Sequence, residues 1–512
     1  MTHVRVAVVG TGFAGLGMAV KLKEAGVDDF VVLDRAGDLG GTWRDNTYPG
    51  CACDVPSQLY SFSFAPNARW SRAFAPQAEI LAYLRACAER AGVTPHLRFN
   101  HEVRALRWDD AQQRWEIATS AGPLSADCVV GAMGALSVPL IPELPGQDRF
   151  QGEAFHSAAW DHSVDLRARR VAVVGTGASS IQFVPQIQPL VERLVVLQRT
   201  APWILPRHDR AIGTIEGLAY RHVPLAQHAA RAAHYWGREV FALGFTHRPG
   251  LMRLAQGASL RHLRRQVPDR ALRAVLTPRY TMGCKRILLA DDYYPAVMQD
   301  NVDVVPAAVR EIRDHSVVAA DGTEHDVDTV IYGTGFHVTD FPSAAHIRGR
   351  DGVCLRDTWA AGMEAYKGTA VAGFPNLFFL VGPNTGLGHT SMVYMIESQV
   401  AYVIDALRTM DRRHLRTVEA RPEAQARFNE ALRARLDETV WNTGGCRSWY
   451  IDEHGRNTTL WPGFSFQFRH QTRRFDVAAY QVEQRRAPVP VTVPSAPLAP
   501  TSRPVAERAA SA

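Results

Sequence analysis

One heptapeptide occurs twice in this chain, letter for letter: Val6-Ala-Val-Val-Gly-Thr-Gly12 and Val171-Ala-Val-Val-Gly-Thr-Gly177. Each copy is a short β-branched run that enters a glycine turn and then a helix-like segment. This pattern is expected of a buried parallel strand opening a βα unit. A third related turn, Tyr332-Gly-Thr-Gly-Phe336, again follows an apolar run. Between the first two copies lies a proline-punctuated stretch, Val138-Pro-Leu-Ile-Pro-Glu-Leu-Pro-Gly146, suited to a crossing between units, and residues 337–346 read as the return. The expected fold class is therefore α/β, with two Rossmann-like dinucleotide-binding units and the second inserted into the first. The expected boundaries are 1–145 and 331–485 for the outer unit and 146–330 for the inserted one. Residues 211–276, rich in arginine and broken by Pro224, Pro249 and Pro268, read as a helical insertion. The Ala/Pro/Val/Ser-rich segment 486–512 reads as a disordered tail.

The two turns differ in what they can bind. Gly10-x-Gly12-x-x-Gly15 has the spacing for a tight turn, close approach of backbone to a pyrophosphate, and helix packing. The next apolar run ends in Asp34, 24 residues after Gly10, where a carboxylate accepts ribose hydroxyls. The second copy reads Gly175-x-Gly177-x-x-Ser180, and Arg199 lies 24 residues after Gly175. An acid in the first copy is thus expected to give way to a base at the same structural position in the second. A guanidinium binds a 2′-phosphate that a carboxylate would repel, so the first unit is expected to take FAD and the second NADPH. Gly40-Gly41-Thr42-Trp43 supplies a backbone that can pass close to a ligand, with a flat apolar wall. A helix starting near Thr390 is expected to turn its positive end toward the flavin. Further cofactor-contacting candidates are Phe13, Tyr60, Val103, Ala178, Ser179 and Thr200.

Composition narrows the classes. A net charge of +6 without a dense basic run excludes an evident nucleic-acid partner, and no apolar stretch reaches the length of a membrane span. The seven cysteines form no framework, so reduced thiols in the cytoplasm and no signal peptide are expected. Cys51 and Cys53 have neither the spacing of a redox pair nor that of a zinc site, and no metal ligand set is evident. The oligomeric state stays open.

Phe150-Gln-Gly152-Glu-Ala-Phe-His156-Ser-Ala-Ala-Trp160-Asp161 resembles FxGxxxHxxxW(P/D), the signature of the type I Baeyer–Villiger monooxygenases. Gly40-Gly-Thr-Trp43 with Tyr48-Pro-Gly50 and Asp54 is similar to a second motif of that family, although Thr47 stands where many members carry arginine. The resemblance covers roughly residues 3–475. It implies an FAD- and NADPH-dependent enzyme that inserts one oxygen of O2 beside a ketone carbonyl through a C4a-peroxyflavin, giving an ester or lactone. It also implies catalytic roles for Arg286, in Gly283-Cys-Lys-Arg286, and for Asp54 as its partner, and a role over the nicotinamide for Trp449. His156 is expected to serve structure or the coupling of the two units. A flavin-dependent N- or S-monooxygenase is the alternative, sharing both cofactors but oxidising a heteroatom.

Overall fold

The computed structural model describes residues 2–484, so the tail expected to be disordered lies outside the described residues. Two sheets organise the chain. In the first, the strand Thr2–Val9 lies between Phe30–Leu33 and Leu124–Gly131, parallel to both, with Leu97–Arg98 beyond Phe30–Leu33. On the other side an antiparallel meander (Val103–Asp109, Arg114–Thr119, Leu124–Gly131) extends the sheet, and Ile347–Arg348 closes that edge. Leu377–Phe379 joins the C-terminal half of Leu124–Gly131, so a strand from late in the chain completes the first sheet. The second sheet is wholly parallel, in the order Val302–Val305, Arg193–Leu197, Arg170–Val174, Thr329–Tyr332, Glu153–His156. Both repeat strands are buried on both faces, which explains their unbroken apolar runs.

The two crossings run side by side. Leu140 N donates to Gly335 O at 2.9 Å, His337 N donates to Val138 O at 2.9 Å, and Pro139 bridges Phe336. Residues between the strands of the second sheet form the helices Thr214–His222, Pro224–Ala242, Met252–Gln266 and Arg270–Val275, broken where the prolines stand. No helix among the described residues is long and apolar enough to cross a membrane.

The repeat is structural to the level of single hydrogen bonds. Gly10 N donates to Leu33 O at 2.8 Å and Gly175 N to Leu197 O at 3.0 Å; Ala132 N donates to Val9 O and Gly333 N to Val174 O. Both turn glycines have φ near +100°, and a Cβ would sit 2.5 Å from Ala132 O at Gly10 and 2.7 Å from Gly333 O at Gly175. The third motif position is solved differently in each copy. A Cβ on Gly15 would fall 1.8 Å from Gly10 O, so only glycine fits there. Ser180 replaces that glycine in the second copy, and the room for its hydroxyl comes from Gly333, where a Cβ would lie 2.0 Å from Ser180 Oγ. Gly333→Ala is therefore expected to destabilise by about 1–3 kcal/mol through overpacking, with most of the loss restored by adding Ser180→Gly. Thermal unfolding of the two single variants and the double variant checks this; equal losses in Gly333→Ala and the double variant would refute the coupling.

Candidate active site

A cavity of about 1290 Å³ runs between the two glycine turns. On the first side it is lined by Gly10, Gly12, Phe13, Asp34, Gly41, Thr42 and Trp43, with Tyr60 and Val103 beside them. Gly175, Gly177, Ala178, Ser179, Arg199 and Thr200 line the second side, and Asp54, Arg286 and Trp449 stand between. Gly15 and Ser180, expected among the cofactor contacts, are not part of the lining. Both are buried behind their turns and act through packing, as the close approaches above require.

The first wall is built backbone against backbone. Gly41 adopts φ +52°, and a Cβ there would lie 3.1 Å from Gly12 Cα, so the Gly40-Gly41 loop leans on the first turn. Asp34 does more than face the cavity. Its carboxylate accepts from Thr11 N at 2.9 Å, from Ala36 N at 3.0 Å and from Arg44 Nη1 at 3.2 Å, and so ties the turn to the strand end. Trp43 donates through Nε1 to Tyr60 Oη at 3.0 Å, and Tyr60 packs edge-on against Phe13 at 5.1 Å. The helix Met392–Arg412 starts at the wall, with Ser391 accepting from Val393 N, and Thr390, Met392 and Ile396 line the cavity.

On the second wall, equal counting from the glycines misplaces one residue. Because Gly10 N bonds Leu33 O and Gly175 N bonds Leu197 O, the structural counterpart of Asp34 is Gln198, not Arg199. Gln198 is buried, with Nε2 donating to Val275 O at 3.0 Å, and does not line the cavity. Arg199, one residue further, lines the cavity. The first copy has one residue more between turn and strand end, and that hides the shift. Lys285 also lines the cavity; burial lowers its pKa, and the positive charge of nearby Arg199 lowers it further.

Arg286 and Asp54 form a two-pronged ion pair, Nε to Oδ2 at 2.7 Å and Nη2 to Oδ1 at 2.8 Å. Some 30 % of the arginine side chain and 26 % of the aspartate side chain remain exposed. Two further guanidiniums hold the aspartate from behind. Arg238, from the helix Pro224–Ala242, donates to Asp54 O at 3.0 Å, and Arg207 donates to Cys53 O at 3.1 Å. Burial pushes the Asp54 carboxyl up, but Arg286, Arg238 and Arg207 together hold it below the ordinary carboxylate value; Asp54 in turn raises Arg286. A carboxylate with a depressed folded pKa contributes stability above the unfolded carboxylate range and loses it as pH falls through the folded value. Asp54→Asn is thus expected to unfold at lower temperature than wild type at neutral pH, with the gap closing below about pH 4. Thermal midpoints across an acid series measure it, and a gap constant down to the lowest pH would contradict the pairing.

The signature segment does not reach the cavity; it braces the loop that does. Trp160 packs against Phe183 at 5.3 Å, Phe183 against Tyr48 at 6.0 Å, and His162 Nε2 meets Thr47 Oγ1 at 2.8 Å. Gln182 clamps the same loop, accepting from Tyr48 Oη at 3.0 Å and donating to Ala52 O at 3.0 Å. His156 is buried, accepts at Nδ1 from Ala158 N and stands edge-on to Phe336 in the return crossing. Burial lowers its pKa, which keeps it neutral at physiological pH.

The expectation of seven reduced thiols needs correction. Cys284 and Cys446, 162 residues apart, form a disulfide with Cα atoms 6.1 Å apart. It joins the loop of Lys285 and Arg286 to the segment of Trp449 and buried Tyr450, whose rings lie 4.4 Å apart. Gly444 makes the room, since a Cβ there would lie 2.6 Å from Cys284 Cβ. Neither half-cystine lines the cavity. Cys51 and Cys53 are free and buried, and burial raises both thiols, Cys51 to about 11, so neither is poised as a thiolate.

Arg207, Arg238, Gln182 and Lys285 are site residues that motif spacing did not single out. Only Lys285 left a sequence trace, as the neighbour of Arg286. The other three are ordinary residues in helices or loops until the fold carries them to residues 48–54.

Residues 7–212 match a family model described as pyridine nucleotide-disulphide oxidoreductase. A protein of Streptomyces coelicolor named Baeyer–Villiger monooxygenase is 53 % identical over 491 residues, spanning 96 % of this chain and 94 % of that one. One of the same name from Pseudomonas aeruginosa is 51 % identical over 482 residues, spanning 94 % and 92 %. Among solved structures, OTEMO in complex with FAD and NADP superposes with a TM-score of 0.84 at 26 % identity, covering 94 % of this chain and 99 % of that one.

Proposed function

The chain belongs to the Baeyer–Villiger monooxygenases, FAD- and NADPH-dependent enzymes that insert one oxygen atom of O2 beside a ketone carbonyl, and from that premise we propose how its residues divide the work. Residues 1–145 and 331–485 are assigned to FAD and 146–330 to NADPH. The cavity suits both groups: Gly10, Gly12 and Gly41 line one side of it and Gly175 and Gly177 the other, so bare backbone meets a dinucleotide at each turn. Asp34, Thr42, Trp43, Tyr60 and Val103 would hold FAD. Ala178, Ser179 and Thr200 would hold the second dinucleotide, with Arg199 and Lys285 on its 2′-phosphate. When bound, the flavin takes hydride from the nicotinamide and activates dioxygen.

Arg286 is the residue assigned to the chemistry. Its charge is permanent, and the two-pronged pairing with Asp54 fixes the guanidinium plane toward the cavity. Negative charge that develops on the reacting oxygen and on the substrate's carbonyl oxygen is stabilised by this fixed cation, without reorganisation at the moment of reaction. Asp54 stays ionised at working pH, so it orients Arg286 and gives up no proton. Trp449, 42 % exposed at the cavity wall, is placed to cover the nicotinamide and shed water.

The single observation that carries this reading is the Arg286–Asp54 pair placed between two glycine turns. We take its substrate to be a ketone, whose carbonyl oxygen gains negative charge beside the fixed Arg286 cation. Mass spectrometry of products from linear, aryl, small cyclic and polycyclic ketones is expected to show gain of one oxygen with ester or lactone fragmentation. Oxidation of a thioether with no ketone converted would transfer the assignment to the N- or S-monooxygenases. We place this activity in the cytoplasm; of the disulfide's two halves Cys284 is buried and Cys446 partly exposed, so only the Cys284 sulfur is shielded from soluble thiols.

A further inference from the structure

The helix Pro224–Ala242 is turned inside out. Its polar residues point into the protein: Gln227 and Glu239 are buried, Gln227 donates to Gln58, Arg231 donates to Gln58 O and Leu59 O, and Arg238 holds Asp54 O. Glu239 accepts from Ser465 Oγ and pairs with His389. Its apolar residues face outward in helical register. Leu225 is 77 % exposed, Trp236 58 % and Val240 62 %, with exposed Ala229 and Ala232 filling the stripe between. Ordinary surface helices carry the opposite arrangement.

The stripe continues beyond this helix. Leu243, Leu251 and Leu254 follow it, the last 77 % exposed, and Trp236 packs against exposed Phe466 at 6.0 Å. Exposed apolar side chains clustered in one segment in this way mark an interaction site. The same segment holds the chain's positive charge. Residues 211–276 contain ten arginines against Glu216, Glu239 and Asp269, a net +7 where the whole chain has +6. Of those acids, Glu239 is buried and Glu216 is neutralised by Arg210. Exposed Arg221, Arg248 and Arg253 adjoin the apolar residues in sequence.

We propose that this face docks on an anionic lipid bilayer, with Leu225, Trp236, Val240, Leu243 and Leu254 entering the interface and the arginines contacting headgroups. Apolar side chains beside exposed arginines are what an interfacial helix requires. A second copy of the chain would set exposed Arg221, Arg248 and Arg253 against their own counterparts, so like-charge repulsion argues against self-association through this face. Docking would set the helix that carries Arg238, and hence the Asp54 end of the cavity, at the surface of the medium in which apolar ketones dissolve.

Flotation of the full-length holoenzyme tests this with phosphatidylcholine vesicles, pure or containing about one third phosphatidylglycerol. Wild type is expected to float with the anionic vesicles and not with the neutral ones. Trp236→Glu with Val240→Glu is expected to weaken that at least about ten-fold, with flavin absorbance and turnover of a water-soluble ketone unchanged. Three results would overturn the proposal. One is wild type that does not bind anionic vesicles at low salt; another is binding that the double variant leaves intact. The third is a wild-type dimer in size-exclusion that the double variant dissolves, which would make a second copy the occupant. Because turnover is read separately, loss of docking and failure of the monooxygenase assignment remain distinguishable.

Discussion

Arg286→Ala is expected to lower ester formation by about 10²–10³-fold, the usual effect of deleting one preorganised donor to developing oxyanion charge. NADPH consumption is expected to continue, because the hydrogen bonds of Arg286 go to Asp54 and not to either glycine turn, and the protein should keep its FAD. The lost cation leaves Arg238 on the Asp54 carbonyl, Arg207 on the Cys53 carbonyl and no hydrogen-bond partner at the Asp54 carboxylate. Stability therefore falls as well, since a partly buried carboxylate loses the cation paired with it. Arg286→Lys separates charge from geometry: it restores the cation but not the two-pronged pairing, and an intermediate rate is expected. Flavin absorbance, NADPH oxidation and ester yield, measured together, distinguish these effects. Near wild-type ester yield from flavin-loaded Arg286→Ala would remove this residue from the mechanism.

Arg199→Ala is expected to raise KM for NADPH by roughly 10- to 150-fold, equivalent to about 1.5–3 kcal/mol for a charge-assisted contact, with little change for NADH. Lys285→Ala should act in the same direction. The double variant should lose less than the product of the two single losses, since both cations bear on one phosphate. Gln198 supplies the control. Counting from the glycines leaves it without a role, whereas the turn-to-strand bonds make it the counterpart of Asp34 in the second copy, buried against Val275 O. Gln198→Ala is therefore expected to cost stability without altering the NADPH-to-NADH preference. An unchanged preference in Arg199→Ala, read from initial rates with both nucleotides, would refute the assignment.

The repeated heptapeptide made the α/β class and its two turns legible, because a buried parallel strand must be an apolar run and a pyrophosphate turn must contain glycine. Much of the site was hidden for an equally physical reason. Arg238 and Arg207 act on backbone carbonyls of residues 53–54 from more than 150 positions away, and hydrogen bonds to backbone leave no mark on the partner's side chain. Gln182 and Tyr48 reach each other only because the helix after the second turn packs against the loop before Asp54. The cysteines were misread because a pairing 162 residues long has no local spacing to recognise.

The sequence by itself determined that two dinucleotide turns exist, that one is followed by an acid and the other by a base, and that Arg286 sits in a recognisable motif. These are local matters of strand, turn and residue type. Tertiary structure decided which strand-end residue faces the cavity, since a one-residue difference between the two loops puts Gln198 in the place of Asp34 and leaves Arg199, one residue further, on the cavity side. It also decided that Asp54 meets Arg286, 232 residues away, and that a helix of ordinary amphipathic composition buries its polar face and exposes its apolar one. Side-chain direction depends on what packs against each face, and periodicity records only that two faces exist.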